Sequence, residues 1–121
     1  MNGVRLVFYM DGRGGAPVKK WMDDLPERVR DKCMAKLSAL KRFGHQLGPP
    51  TVKALRDGIL ELRVSSSGNQ YRILFFFCPG KIVVLAHAFI KKGQKVPNRE
   101  IDKALQRKAA FEADPEKHSY Q

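Results

Sequence analysis

Acidic residues are what this sequence is short of. The 121-residue chain has 12 Asp and Glu against 23 Lys and Arg, for a formal net charge of +11. From Leu62 to Arg99 there is no Asp or Glu at all, yet that stretch carries Arg63, Arg72, Lys81, Lys91, Lys92, Lys95 and Arg99. So large a charge opposes compaction through self-repulsion, and its simplest use is a polyanion partner, nucleic acid first. An anionic membrane surface or an acidic protein is the alternative. Long apolar runs are also missing. None approaches the ~20 residues of a membrane span, so no membrane partner is expected. Met1-Asn2-Gly3-Val4-Arg5-Leu6 lacks the charged-then-apolar pattern of a secretion signal. Cysteine is scarce: Cys33 and Cys78 both fall in apolar-patterned segments, which suits buried free thiols in a reducing, cytoplasmic compartment. His45, His87 and His118 are scattered and do not combine with the cysteines into ligand spacing, so no metal site is expected.

What is present suffices for a folded chain. Hydrophobic residues make up 43% of the sequence, enough for one domain over residues 1–121 with a real core. Val4 to Tyr9 reads as a strand rich in β-branched and aromatic residues. Asp11-Gly12-Arg13-Gly14-Gly15 ends it. No Gly-Lys-Ser/Thr follows, so these glycines read as a turn rather than a phosphate loop. Pro17 suits a first helical turn, and Val18, Trp21, Met22 and Leu25 recur at helical spacing. After Pro26 a second helix carries Val29, Cys33, Leu37 and Leu40 on one face, with Arg28, Lys32, Lys36, Lys41 and Arg42 exposed. Gly44 stops it. A loop containing Gly48-Pro49-Pro50 and the segment Val52–Arg56 lead to an Asp57-Gly58 turn.

Three strands then follow in succession: Ile59–Val64, Tyr71–Cys78 and Lys81–Ile90. The middle one is nearly all apolar, as expected of a strand buried on both faces. Cys78-Pro79-Gly80-Lys81 reads as a type II turn. If Cys78 faces Lys81 and the ladder is unbroken, Arg72 faces His87. If Val64 faces Tyr71, Arg63 faces Arg72. Arg63, Arg72 and His87 would then form one row across three strands, a natural seat for a phosphate. Like charges directly opposite cost a fraction of a kcal/mol unless an anion joins them. Ordinary ion pairing of the arginines is the other reading of the same pattern. Pro97 opens a last helix, with Ile101, Leu105 and Ala109 on its apolar stripe, and Asp114-Pro115 ends it. Residues 114–121 read as a polar, frayed tail.

Asp57-Gly58-Ile59-Leu60-Glu61-Leu62-Arg63, Tyr71-Arg72-Ile73-Leu74 and the run His87 to Pro97, followed by Glu100-Ile101 and Ala104, together resemble the RelE superfamily of bacterial toxins. The HigB-like, phage-derived branch is the nearest. Order and spacing agree from Leu25-Pro26-Glu27 to the last helix. The resemblance implies an α+β fold: a twisted, mainly antiparallel sheet of about four strands, packed against two N-terminal helices, with a C-terminal helix at its edge. It implies an endoribonuclease toxin that cuts messenger RNA in the ribosomal A site without metal or cofactor. It also implies a partner antitoxin with a helix-turn-helix DNA-binding domain.

The chemistry that the resemblance implies is attack of an RNA 2′-hydroxyl on the adjacent phosphate, expelling the 5′-oxygen. That needs a proton acceptor, a proton donor and cations around the developing charge. By position, Arg63 and Arg72 match the residues that grip the scissile phosphate, since a guanidinium binds two phosphate oxygens at once. Lys91 or Lys92 matches the residue that closes the site. Lys53, Arg56, Lys95 and Arg99 complete an RNA-binding set. RelE has a catalytic tyrosine in its C-terminal segment. The last helix here has none, and Tyr120 lies in the tail. His87 is therefore the acid/base candidate, with a core histidine as the alternative reading. Crowding by Arg63 and Arg72 would lower its pKa. The same scaffold also hosts toxins of the ParE kind, which poison DNA gyrase, and would suit a catalytically silent RNA- or ribosome-binding module.

Overall fold

The apolar run after Gln70 becomes the centre of the sheet. In the computed structural model, which describes residues 3–120, it forms β4 (Asn69–Cys78), flanked by β3 (Leu60–Ser66) and β5 (Ile82–Lys91). Successive side chains of β4 point to opposite faces. Tyr71, Ile73 and Phe75 pack on one side, and Leu74 and Phe76 on the other. Phe75 and Phe76 are both fully buried. Burial of each is worth about 2–3 kcal/mol.

Each face of the sheet has its own helical cover. β1 (Arg5–Tyr9) leads into α1 (Pro17–Asp23) and α2 (Glu27–Phe43). Val18, Met22, Val29, Cys33, Leu37 and Leu40 bury against Leu62, Val64, Ile73, Phe75, Val83 and Leu85. These are the periodic apolar positions of the two sequence-predicted helices. α3 (Asn98–Ala113) lies on the opposite face, where Ala104 and Phe111 meet Ile59, Leu74, Phe76, Val84, Ala86 and Phe89. The C-terminal helix therefore covers a face of the sheet, where the sequence led us to expect it at an edge.

The sheet is mainly antiparallel, as expected, but it has more than the expected four strands. Among the described residues it has six strands in the order β2-β3-β4-β5-β1-β6. It is mixed, because β1 runs parallel to β5. β2 (Val52–Ala54) and β6 (Ser119–Tyr120) are the additions. At 3 and 2 residues, neither is long enough to show an alternating pattern. β6 also corrects the expectation of a frayed tail. Tyr120 pairs with Phe8, His118 stacks on Tyr9, and the His118 Nδ1 lies 2.7 Å from the Met10 carbonyl.

The β3–β4 register is the expected one, with Arg63 opposite Arg72 and Val64 opposite Tyr71. The β4–β5 register is not. Lys81 takes a left-handed conformation at φ +58°, so Cys78 pairs with Ile82 rather than Lys81. A β-bulge then adds Ala86 between Leu85 and His87. The two one-residue shifts together keep His87 on the Arg72 face but move it two places along the strand. Arg72 faces Phe89, and His87 faces Leu74.

Candidate active site

α3 leaves the β2–β3 side of its sheet face open, and the basic residues of β3 and β4 emerge there. Arg63 and Arg72 share that face with Glu61, two residues before Arg63 on the same strand. Glu61 is buried, with 1% of its surface exposed. Its Oε2 lies 3.2 Å from the Arg72 Nε, and its Oε1 lies 3.6 Å from the Arg63 Nε. One carboxylate thus stands between two guanidiniums and relieves the repulsion expected of directly opposed arginines. Of the two readings of the sequence pattern, ion pairing is the one these contacts make, with a strand carboxylate as the partner.

The pair is not closed. The Arg72 N–H is not aimed along the 3.2 Å approach, so Arg72 Nε and Glu61 Oε2 are both buried without a hydrogen bond. The rest of the Arg72 fork is held: Nη1 donates to the Tyr71 carbonyl at 3.0 Å and Nη2 to the Gln70 Oε1 at 3.3 Å. Burial pushes the Arg72 guanidinium below its usual pKa range, Glu61 opposes that shift, and Arg63 adds to it. A buried polar network with unsatisfied members is costly unless something completes it.

Glu61 opens onto a cleft of about 360 Å³ lined also by Lys53, Arg56, Lys91, Gln94, Lys95 and the start of α3. Lys91 is the last residue of β5, opposite Gln70. It is half-buried and lines this cleft, whereas Lys92 is exposed and does not. Burial lowers the Lys91 pKa, with Arg72 as the next cause; Glu61 works against the shift, and Arg63 and Lys53 work with it. Of the two adjacent lysines, Lys91 is therefore the one that lines the cleft. Lys53 and Lys95 also reach the cleft. Arg56 lines it as well, but is engaged by Asp102 at 2.7 Å and Asp57 at 3.1 Å. Arg99 is exposed at the start of α3, outside the cleft lining.

His87 lies elsewhere, beneath α3. Its Nε2 is 2.8 Å from the Glu100 Oε1, and its Nδ1 is 3.3 Å from the Arg107 Nη1. Arg107 also donates to the Ala86 carbonyl at 2.8 Å, inside the bulge. Because Arg107 can only donate, Nδ1 accepts and Nε2 carries the proton to Glu100. The His87 pKa is lowered as expected, but for a different reason: burial comes first, Arg107 contributes, and Glu100 opposes. The Arg63–Arg72–His87 row does not form, and His87 instead ties β5 to α3. Tyr120 lies on β6, at the opposite edge of the sheet from β2.

Sequence reasoning passed over Glu61. Its signal was available, since strand alternation places residues 61 and 63 on one face. The stretch free of acids, counted from Leu62, stops one residue short of it.

Comparison with known proteins identifies the family. The family model described as phage-derived protein Gp49-like (DUF891) matches residues 20–109, from α1 to most of α3. Proteins named "Probable endoribonuclease HigB1" from two strains of Mycobacterium tuberculosis, CDC 1551 / Oshkosh and ATCC 25618 / H37Rv, are similar. Each is 36% identical over 102 residues, covering 83% of this chain and 78% of the relative. The matched span contains Glu61, Arg63, Arg72 and Lys91. The chain belongs to the phage-derived Gp49-like family, and is a HigB-like toxin of the toxin–antitoxin kind.

Proposed function

We propose that the protein is a ribosome-dependent endoribonuclease, cutting messenger RNA in the A site by attack of a 2′-hydroxyl on the adjacent phosphate. The observation that carries the reading is the open Arg63–Glu61–Arg72 cluster, whose buried Arg72 Nε and Glu61 Oε2 lack hydrogen bonds beside Lys91. Arg63 and Arg72 grip the non-bridging oxygens of the scissile phosphate and stabilise the extra charge of the phosphorane. Glu61, freed from its guanidinium partners as the phosphate takes them, accepts the 2′-hydroxyl proton. Lys91, its pKa lowered by burial and by Arg72, gives a proton to the departing 5′-oxygen. The 2′-oxygen–phosphorus bond forms as the phosphorus–5′-oxygen bond breaks, leaving a 2′,3′-cyclic phosphate and a 5′-hydroxyl. Lys53 and Lys95 hold the flanking backbone. None of these steps calls for a metal.

As in other toxins of such systems, the activity is held in check by a partner antitoxin carrying a helix-turn-helix domain. We place its landing surface over the basic cleft and the exposed face of α2. The protein acts in the cytoplasm. No helix among the described residues is long and apolar enough to cross a membrane.

Primer extension on a defined message, with and without programmed ribosomes, tests the proposal. Cuts that require ribosomes, fall within A-site codons and vanish in Arg63→Ala support it. Ribosome-independent cuts retain the chemistry and remove the A site. An intact message favours the gyrase-poison or binding-only reading of the same scaffold.

A further inference from the structure

A second cleft, of about 340 Å³, adjoins the first through the arginine pair. It is lined by Lys36, Pro50, Thr51, Arg63, Ser65, Gln70 and Arg72. It forms where β2 stops and the β3–β4 hairpin runs on alone: Thr51 accepts the last bond from this side, from the Arg63 N–H at 2.9 Å. α2 closes it. Lys36 is half-buried along the wall, and one turn earlier the Lys32 Nζ reaches the Ser65 carbonyl at 3.4 Å.

The lining has three cations and no carboxylate. Among its neutral members Gln70 offers a donor. Gln70 Oε1 accepts from Ser65 Oγ at 2.8 Å and from Arg72 Nη2 at 3.3 Å. A flipped amide would press its NH2 against the guanidinium, so the NH2 is the end left over for a ligand. Arg72 lines the same wall with 3% of its side chain exposed, its Nε turned to Glu61 at 3.2 Å. Three cations and an amide donor, with Glu61 paired to the two arginines from outside the lining, are what a phosphodiester requires.

We propose that this cleft is a phosphodiester subsite for single-stranded RNA, holding the backbone of the nucleotide next to the one that is cut. It rests on the nuclease reading of the first cleft. Arg63 lines this cleft and pairs with Glu61, which lines the first, so adjacent phosphates of one strand would fall on either side of that pair. Lys36 is the residue specific to the second cleft, and Gln70 orients the sugar or phosphate edge.

The test is binding of an uncleavable, fully 2′-O-methylated RNA hexanucleotide, followed by fluorescence anisotropy across a salt series. Lys36→Ala should weaken binding about 5- to 10-fold, and should reduce the slope of log affinity against log salt by about 0.7, the value for one single-strand phosphate contact. Gln70→Ala should weaken binding with the slope unchanged. Lys117→Ala removes an equal charge from an exposed turn on the β6 side of the sheet, and should leave both quantities unaltered. Thermal unfolding of each variant separates lost binding from lost fold. If Lys36→Ala matches Lys117→Ala, or if the wild-type protein does not bind the hexanucleotide, the proposal is overturned. Cleavage of a natural message on programmed ribosomes by wild type, Arg63→Ala and Lys36→Ala is scored separately. Lys36-dependent binding without any cleavage would sink the nuclease reading and keep the subsite, whereas cleavage indifferent to Lys36 would do the reverse.

Discussion

Arg63 and Arg72 face each other directly across the β3–β4 ladder, and among the described residues the carboxylate paired with them is that of Glu61, 3.6 and 3.2 Å from their Nε atoms. Two buried or half-buried guanidiniums share one anion, so the cluster retains a net positive charge. A phosphate that displaced or joined Glu61 would complete what the protein leaves open.

Removing the shared anion should cost stability as well as activity. Glu61→Ala leaves Arg72 buried without its counter-ion, and breaking a buried pair this way costs about 3–5 kcal/mol. Glu61→Gln keeps the shape and loses the charge, so its stability loss should be smaller while cleavage falls at least 10²-fold, the usual contribution of a positioned base. Urea denaturation beside single-turnover cleavage measures both. Full cleavage by folded Glu61→Gln would remove Glu61 from the chemistry.

Lys91 and Lys92 are adjacent in sequence and unequal in place. Lys91→Ala should lower the cleavage rate by 10² or more, since it removes both a cation and a proton donor. Lys92→Ala should stay within a few-fold of wild type, since its side chain is exposed and outside the cleft. Equal losses from the two would contradict the assignment.

His87 should matter to stability more than to cleavage. Its pKa is lowered from 6.5, first by burial and then by Arg107, against the pull of Glu100. The unfolded chain therefore binds the proton more readily than the folded one. Its contribution to stability is present above about pH 6.5 and is lost as pH falls through the folded pKa. Of the charged groups facing it, Glu100 holds its Nε2, Arg107 its Nδ1, and Lys103 lies near enough to add to the depression. Unfolding midpoints measured between about pH 7.5 and 5 should drop in wild type and drop less in His87→Gln. His87→Gln should still cut RNA.

Cys33 should be chemically silent in the folded state. Burial pushes its thiol pKa up to about 11, and its surface is fully covered. Alkylation by iodoacetamide at neutral pH should be slow until denaturant is added, because only the thiolate reacts. Rapid labelling of native Cys33 would mean that the α2–sheet core opens readily.

The helices and the central strands were legible because each presents a periodic face long enough to read. Val29, Cys33, Leu37 and Leu40 mark α2, and Tyr71 to Phe77 mark β4. The Arg63–Arg72 pairing was legible for the same reason. What escaped was carried by single residues or very short segments. Strands as brief as β2 and β6 have no period, and β6 is held in place by contacts of His118 and Tyr120 with the distant-in-sequence β1 and Met10. The His87 placement turned on the conformation of Lys81 and on one extra residue, Ala86, and alternation alone detects neither. The parallel pairing of β1 with β5 is non-local, so nothing in either segment announces it. Glu61 was in plain view, but its importance depends on a cross-strand neighbour.

The central claim is that the Arg63–Glu61–Arg72 cluster and Lys91 perform metal-free transesterification of RNA. The direct measurement is the chemistry of the cut ends, by mass spectrometry of the fragments released from a ribosome-bound message. It is made after removal of free divalent ions where the ribosome permits, and again with Arg63→Ala, whose half-exposed side chain makes it less disruptive than the loss of Arg72. The account predicts 2′,3′-cyclic phosphate and 5′-hydroxyl ends from the wild type and none from the variant. Fragments bearing 5′-phosphates, or unchanged cutting by Arg63→Ala, would contradict it.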